Sequence, residues 1–266
     1  MEFVLIPLAA ALVAALTLVS GFGLGTLLLP AFAFFFPLEI AIAATGVVHL
    51  ANNLFKLGLV ARWASRDVVL RFGIPAILAA MAGGACMTLI TRIAPIHTYR
   101  VGNLDANITW LRLVIAALLA GFAALELWPA YQRLGLSRRA LPVGGVLSGF
   151  FGGISGMQGA LRAPFLLRAG LTREQFVGTT NVISTMVDVT RLLVYAFGFA
   201  FVTRTRIDPL VETWRTPALI GAACLAGFLG SYVGARLITK VTLQAVRRIV
   251  AALLFLVAGA MGAGLV

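Results

Sequence analysis

Residues 148–167 read SGFFGGISGMQGALRAPFLL, and this apolar stretch contains several glycines and one arginine, Arg162. Glycine costs about 1 kcal/mol in a helix interior, and arginine at a bilayer centre costs at least about 2.5 kcal/mol. A helix broken inside a membrane accounts for both. Glycines 149 to 159 would let the backbone turn and free its amides, and Arg162 would lie in the first turns of the returning half-helix. Free amides at a helix N-terminus and a forked guanidinium both favour anions.

The composition indicates a membrane protein. Hydrophobic residues make up 61% of the 266 residues, charged residues make up only 11%, and the mean hydropathy is +1.02. These values lie far outside the range of soluble domains. Apolar runs of helical length cover about 3–36, 40–61, 72–91, 113–128, 141–167, 174–202, 216–235 and 249–266. We therefore expect an all-α integral membrane protein that crosses the cell inner membrane several times.

The net charge of +12 does not indicate nucleic-acid binding, because Lys and Arg lie mainly in short loops between the apolar runs. The lipid bilayer is the expected partner, and a homo-oligomer is left open. The two cysteines, Cys86 and Cys224, lie in apolar segments and form no CxxC pair, so no metal or other cofactor is expected. Glu2 stands where a signal peptide would carry basic residues, so we expect the first segment to remain in the mature protein.

The chain contains an internal repeat. Three short motifs return in order: SGFG at 20–23 as SGFF at 148–151, LITR at 89–92 as LITK at 237–240, and AALL at 116–119 as AALL at 251–254. Four polar residues also recur at a constant offset of 135 residues, with Glu39, Thr45, Asn53 and Lys56 matching Glu174, Thr180, Asp188 and Arg191. The repeat predicts two halves, 1–135 and 136–266, that contain the same four hydrophobic segments.

The first segment of each half has the wrong length for a simple crossing. In the first half, Phe3–Phe36 carries no charge over 34 residues, which exceeds one span of about 20 and falls short of two spans and a turn. A re-entrant hairpin fits better: Phe3–Ser20 would enter the membrane, GFGLG at 21–25 would break the helix, and Thr26–Phe36 would return. Such a backbone is tolerated only against protein or a water-filled cavity.

Loop charge supports the hairpin arrangement. If all eight segments cross, the eighteen loop cations divide nine to nine; if the two hairpins do not cross, they divide twelve to six. The uneven division agrees with the excess of Lys and Arg in cytoplasmic loops. Three crossings per half would then insert the second half upside down. The predicted fold is two inverted repeats, each a broken re-entrant helix hairpin followed by three transmembrane helices, as in secondary transporters.

Three cations, Lys56, Arg162 and Arg191, lie inside apolar segments, where an ionisable residue is by default a functional-site hypothesis. Two helices also carry a polar face at helical spacing. The first face consists of His49, Asn52, Asn53 and Lys56, and the second of Asn181, Ser184, Thr185, Asp188 and Arg191. Structural alternatives exist: Asp188 and Arg191 could pair to hold helices together, Lys56 could reach toward the interface, and His49 could be a core histidine.

The predicted substrate-binding residues combine these faces with polar residues of the broken helix. They are Arg162, Arg191, Asn181, Thr185, Gln158, Ser155, His49, Asn52, Asn53 and Lys56. Asp188 is the candidate for proton coupling. No catalytic or metal site is expected.

At these residues the chain resembles the TauE/SafE sulfite exporter family, also called the TSUP transporters. The resemblance covers nearly the full length and rests on an SGF(G/F)xG break, a proline-bearing half-helix, and an AATG or VGTTN start of the next helix in each half. It implies a transporter for small anionic sulfur compounds such as sulfite, thiosulfate or organosulfonates. The first break, GFGLG, departs from the usual glycine-rich form, and Lys56 and Arg162 match no diagnostic family motif.

The combined prediction is a secondary transporter that moves a small oxyanion or organosulfonate by alternating access. No GxxxxGK[ST] loop is present in the sequence, so ATP drive within this chain is not expected. One alternative is a rhomboid-like intramembrane serine protease, because GISG at 153–156 matches the GxSG motif of those enzymes. Their catalytic histidine follows the serine in the sequence, whereas His49 and His97 both precede this motif. A second alternative is a membrane scaffold that transports nothing.

Overall fold

A computed structural model describes residues 1–20, 24–102, 104–203, 215–237 and 243–265. The helices of the first half are α1 (Glu2–Ser20), α2 (Leu24–Ala33), α3 (Leu38–Val60), α4 (Arg66–Ile90), α5 (Trp110–Leu127) and the short α6 (Pro129–Arg133). Those of the second half are α7 (Leu141–Ser155), α8 (Gly159–Leu166), α9 (Arg173–Phe197), α10 (Arg215–Leu237) and α11 (Leu243–Gly262). Two strands, β1 (His97–Val101) and β2 (Leu104–Ile108), lie between α4 and α5.

Five of the described helical segments are long and apolar enough to cross a membrane. They are Leu38–Trp63, Arg66–Ile90, Trp110–Leu127, Arg173–Phe201 and Thr216–Val233. This result agrees with the predicted all-α membrane protein. Their sides carry many exposed large apolar residues, which suit contact with lipid tails.

The helix break predicted within 148–167 is present. The α7 helix ends at Ser155, Gly156 adopts φ 80°, and α8 begins at Gly159 and packs against α7. With 15 and 8 residues, α7 and α8 are each too short for a span of about 20 residues. In the first half, α1 and α2 pack together in the same way, but positions 21–23 of the predicted GFGLG break lie outside the described residues.

The glycines of α7 have a different role from the predicted one. A Cβ on Gly149 would lie 2.6 Å from the Cα of Ala76, and a Cβ on Gly153 would lie 2.9 Å from the Cα of Ala80. These glycines therefore let α7 pack directly on the backbone of α4. Of the glycines predicted to turn the chain, only Gly156 has a positive φ, which residues with a side chain rarely adopt.

Contacts between the two halves occur in matching pairs. The α4 helix of the first half packs on α7, and its counterpart α10 packs on α1. In the same way, α4 contacts α9 and α10 contacts α3. Helices at matching positions of the predicted repeat also touch: α3 contacts α9, and α5 contacts α11. The largest apolar core includes α1, α2, α3, α5 and α11, and a second one joins α4, α7, α8 and α9.

The strands β1 and β2 form an antiparallel hairpin in a region for which the sequence predicted only a loop. His97 pairs with Ile108, and Gly102 at the turn has φ 59°. The hairpin is attached to the end of the chain, because the Asn107 amide donates to the Gly264 carbonyl at 3.1 Å and the Tyr99 hydroxyl donates to the Ala263 carbonyl. Local propensity alone does not identify so short a hairpin, since its stability depends on such distant contacts.

Candidate functional site

A buried carboxylate on α9, Asp188, lies at the centre of a polar cluster between the two halves. Its Oδ2 accepts from His49 Nδ1 at 2.6 Å and from Asn53 Nδ2 at 2.8 Å, both on α3. Its Oδ1 accepts from Arg191 Nε at 3.0 Å and from Gln158 Nε2 at 3.3 Å. Asp188 and Arg191 have no exposed surface, so the carboxylate is compensated by protein groups alone.

These helices meet at positions that the predicted repeat relates to each other. Asn53 and Asp188 match at the offset of 135 residues, and their side chains hydrogen-bond directly to each other. Asn181, two turns before Asp188 on α9, donates from Nδ2 to Asn53 Oδ1 at 3.3 Å. The polar faces predicted on these two helices therefore face each other in the protein interior.

The Arg191 guanidinium occupies a space that two glycines leave open. A Cβ on Gly46 of α3 would lie 3.2 Å from Arg191 Cζ, and a Cβ on Gly156 would lie 2.9 Å from it. Nε is hydrogen-bonded to Asp188, whereas Nη1 and Nη2 are buried without a partner at hydrogen-bond distance among the described residues. The Tyr195 hydroxyl lies near enough to interact with the guanidinium electrostatically. The two terminal NH₂ groups of this buried cation therefore lie beside the α7–α8 break and can still donate hydrogen bonds.

A second buried arginine extends the cluster along α8. Arg162, the fourth residue of α8, is 4% exposed, and its Nη1 donates to Gln158 Oε1 at 3.3 Å. Gln158 therefore connects Arg162 to Asp188, and its own carbonyl accepts from Ser148 Oγ at 2.9 Å. The predicted position of Arg162 in the first turns of the returning half-helix is confirmed.

Two tyrosines hold the broken helix in place. The Tyr195 hydroxyl donates to the Gly153 carbonyl and lies 3.2 Å from the Ile154 carbonyl, so it serves the otherwise unpaired end of α7. The Tyr131 hydroxyl donates to the Ala160 carbonyl at 3.0 Å. That carbonyl lacks its usual helical donor because residue 164 is proline. Burial raises the pKa of Tyr131 to about 12, so this hydroxyl keeps its proton at neutral pH.

The cluster has an excess of positive charge. Arg162 and Arg191 are two buried cations, and the buried carboxylate of Asp188 pairs with Arg191 and is linked to Arg162 through Gln158. Among the described residues, the buried hydroxyls Thr45 Oγ1 and Thr180 Oγ1, which can donate, also lack a hydrogen-bond partner. Unpaired buried polar groups are costly and rare in folded proteins. Such an arrangement fits a small anionic ligand.

Four predicted site residues have other contacts. Ser231 of α10 donates from Oγ to Asn52 Oδ1 at 3.3 Å, and Thr185 donates to the Asn181 carbonyl of its own helix. Ser155 donates to the Phe151 carbonyl and accepts from the Met157 amide, so it stabilises the end of α7. Lys56 is half-buried and lies two turns after His49 on α3, beyond the contacts that form the cluster.

Sequence reasoning missed Tyr195 and Gly46. Tyr195 continues the face formed by Asp188 and Arg191 at helical spacing, so that pattern could have identified it. No group of three or more His, Cys, Asp or Glu side chains in the described ranges is placed to hold a metal ion.

Comparison with known families gives one match. Residues 6–261 match the family described as Sulfite exporter TauE/SafE, which covers nearly the whole chain. Searches of curated proteins and of solved structures returned no match. The chain therefore belongs to the TauE/SafE sulfite exporter family and is a multi-pass membrane protein of a transporter family.

Proposed function

We propose that this TauE/SafE family member is a secondary transporter for a small oxyanion, bound beside the α7–α8 break between α3 and α9. The observation that carries the proposal is the guanidinium of Arg191, which is fully buried while Nη1 and Nη2 have no partner among the described residues. Leaving such donors unpaired costs free energy, and an oxyanion would accept from both at once.

Charge supports an anion of low valence. Arg162 and Arg191 exceed the single carboxylate of Asp188 by one positive charge, so a monoanion would neutralise the cluster. A guanidinium presents a planar fork that suits sulfite, thiosulfate or the sulfonate group of an organosulfonate. The family name agrees with a sulfur oxyanion as substrate.

Alternating access would use the two sequence halves, 1–135 and 136–266, as inverted repeats. The matched contacts of α4 with α7 and of α10 with α1 are what such a relationship requires. The anion would lie where the equivalent helices α3 and α9 meet, and rocking of one half against the other would expose it to each side in turn.

The alternative roles make different demands on the same residues. In a scaffold, the contact of Asp188 with Arg191 would only hold helices together, and no anion would bind. In a rhomboid-like protease, Ser155 would need a histidine partner. Its hydroxyl donates to a backbone carbonyl, His49 contacts Asp188, and His97 belongs to β1. Membership of an exporter family favours transport.

Transport by the purified protein in liposomes tests the proposal. Uptake or efflux is measured for sulfite, thiosulfate, methanesulfonate and a panel of carboxylates. We expect Arg162→Gln to abolish transport of the accepted anion, because Arg162 is buried in the cluster. Arg168→Gln is the matched control, since Arg168 is exposed on the same part of the chain. Absence of transport for every anion, or equal activity of both variants, would contradict the proposal.

Orientation can be tested separately. The twelve-to-six division of loop cations puts 62–71, 129–140, 168–173 and 236–248 in the cytoplasm and both termini outside. In a chain with Cys86 and Cys224 replaced by alanine, a cysteine at Arg92 should react with an impermeant reagent applied to cells. A cysteine at Arg138 should not react. A cysteine at Arg173 should not react either, because a non-crossing hairpin keeps 168–173 on the same side as 129–140. Labelling at Arg173 but not at Arg138 would refute that hairpin.

A further inference from the structure

The contact between His49 and Asp188 requires a proton. An ionised carboxylate only accepts hydrogen bonds, so the 2.6 Å separation of His49 Nδ1 and Asp188 Oδ2 means that a proton lies between them. His49 can gain a second proton at Nε2 and become a cation. Its side chain is 14% exposed whereas that of Asp188 is 0% exposed, so His49 is the more accessible member of this pair.

The charged and titratable groups around His49 come from three helices. They are Asp188, Arg191 and Tyr195 of α9, Arg162 of α8, and Lys56 two turns further along α3. The α10 helix contacts α3 through Ser231 and Phe228, which are uncharged, and the sequence of α2 contains no titratable residue. Asp188 is therefore the carboxylate that would stabilise a protonated His49.

We propose that His49 is a proton-binding site that adjusts the charge of the anion site to the valence of the substrate. With His49 neutral, Arg162, Arg191 and Asp188 give a net charge of one positive unit, which a monoanion neutralises. With His49 protonated, the net charge is two positive units, which a dianion neutralises. An uncompensated charge is costly in a desolvated site. Binding of a dianion therefore takes up one proton, and binding of a monoanion takes up none.

This inference rests on the proposed anion site, and it makes the transporter a proton symporter for dianions only. The loaded site has the same net charge with either kind of substrate. A dianion and its proton would consequently cross the membrane with the same total charge as a monoanion alone. The valence of the substrate, rather than its size, decides whether a proton accompanies it.

Calorimetry with two sulfur oxyanions of different valence tests this. Thiosulfate is a dianion and methanesulfonate a monoanion throughout the neutral range. Each is titrated into the purified protein in HEPES and in Tris at the same pH, where the difference in heat gives the number of protons taken up. We expect uptake of up to one proton for thiosulfate and none for methanesulfonate. The uptake should vanish in His49→Gln and persist in the control His97→Gln.

A pH series on the unmodified protein gives the same answer without a variant. Over the pH range in which thiosulfate binding takes up one proton, the Kd of thiosulfate should rise about tenfold per pH unit while the Kd of methanesulfonate stays constant. Thiosulfate binding without proton uptake, or uptake that persists in His49→Gln, would overturn the proton site while the transport proposal stands. If neither anion binds, both proposals fail.

Discussion

Replacement of Asp188 by asparagine should destabilise the protein more than a typical substitution. Asp188 is fully buried, and its Oδ1 lies 3.0 Å from Arg191 Nε. The neutral amide would leave Arg191 and Arg162 without their buried counter-charge. It would also place a donor NH₂ group among groups that already donate, since His49 and Asn53 both donate to Oδ2. Removing one partner of a buried ion pair costs about 3–5 kcal/mol, and we expect a loss of this size.

A double-mutant cycle separates pairing from anion binding. Arg191→Gln alone should also destabilise the protein, and Asp188→Asn/Arg191→Gln should recover much of the lost stability because no buried pair remains incomplete. The double variant should still fail to bind the anion, since Nη1 and Nη2 of Arg191 are gone. The measurements are the free energy of unfolding in detergent micelles and anion binding by calorimetry.

The anion itself provides an internal control. In Asp188→Asn, thiosulfate would replace the missing negative charge and bind more tightly. At one hundred times its Kd for the variant it should stabilise the variant by about 2.7 kcal/mol, which is more than the same concentration should stabilise the unmodified protein. Unchanged stability of Asp188→Asn would refute the assigned role of the buried pair. A fully active double variant would remove Arg191 from the anion site.

Two further substitutions test the broken helix. Gly156→Ala should lower stability by more than Gly170→Ala and should also weaken anion binding. Both glycines have positive φ, but only a Cβ at Gly156 would press on the Arg191 guanidinium. Equal losses of stability in thermal unfolding and of affinity in calorimetry would contradict this. Tyr131→Phe should cost about 1–3 kcal/mol by leaving the Ala160 carbonyl unpaired. In a Pro164→Ala background the restored amide should remove most of that cost, and the same loss in both backgrounds would exclude the assigned role of Tyr131.

The central part of the site could be predicted from the sequence because buried charge is expensive. Arg162, Arg191 and Asp188 have no reason to lie in apolar segments unless protein groups compensate them. The repeat added Asn53, whose match at the offset of 135 residues is Asp188, its partner in the structure. A constant spacing in sequence thus indicated two residues that meet in space.

The finer placement could not be predicted, because a polar face on a helix is broad. Asn52 and Asn53 differ by about 100° around α3, so one contacts Ser231 of α10 while the other contacts Asp188. Which neighbour each side chain meets depends on how α9 and α10 pack, and spacing along one helix does not contain that information. The α7 glycines were misjudged for a similar reason, since their use depends on the approach of α4.

The hydrogen bond between Asn53 and Asp188 also makes the two halves energetically unequal. Two aspartates at these matching positions could not form this contact, because two ionised carboxylates offer no donor and repel each other. One half therefore supplies an amide, and the other supplies the charge together with Arg191. In a carrier whose halves exchange roles, perfect copies would give inward-open and outward-open states of equal energy. In the proposed carrier, the difference between Asn53 and Asp188 at this contact would give the empty state a preferred resting side.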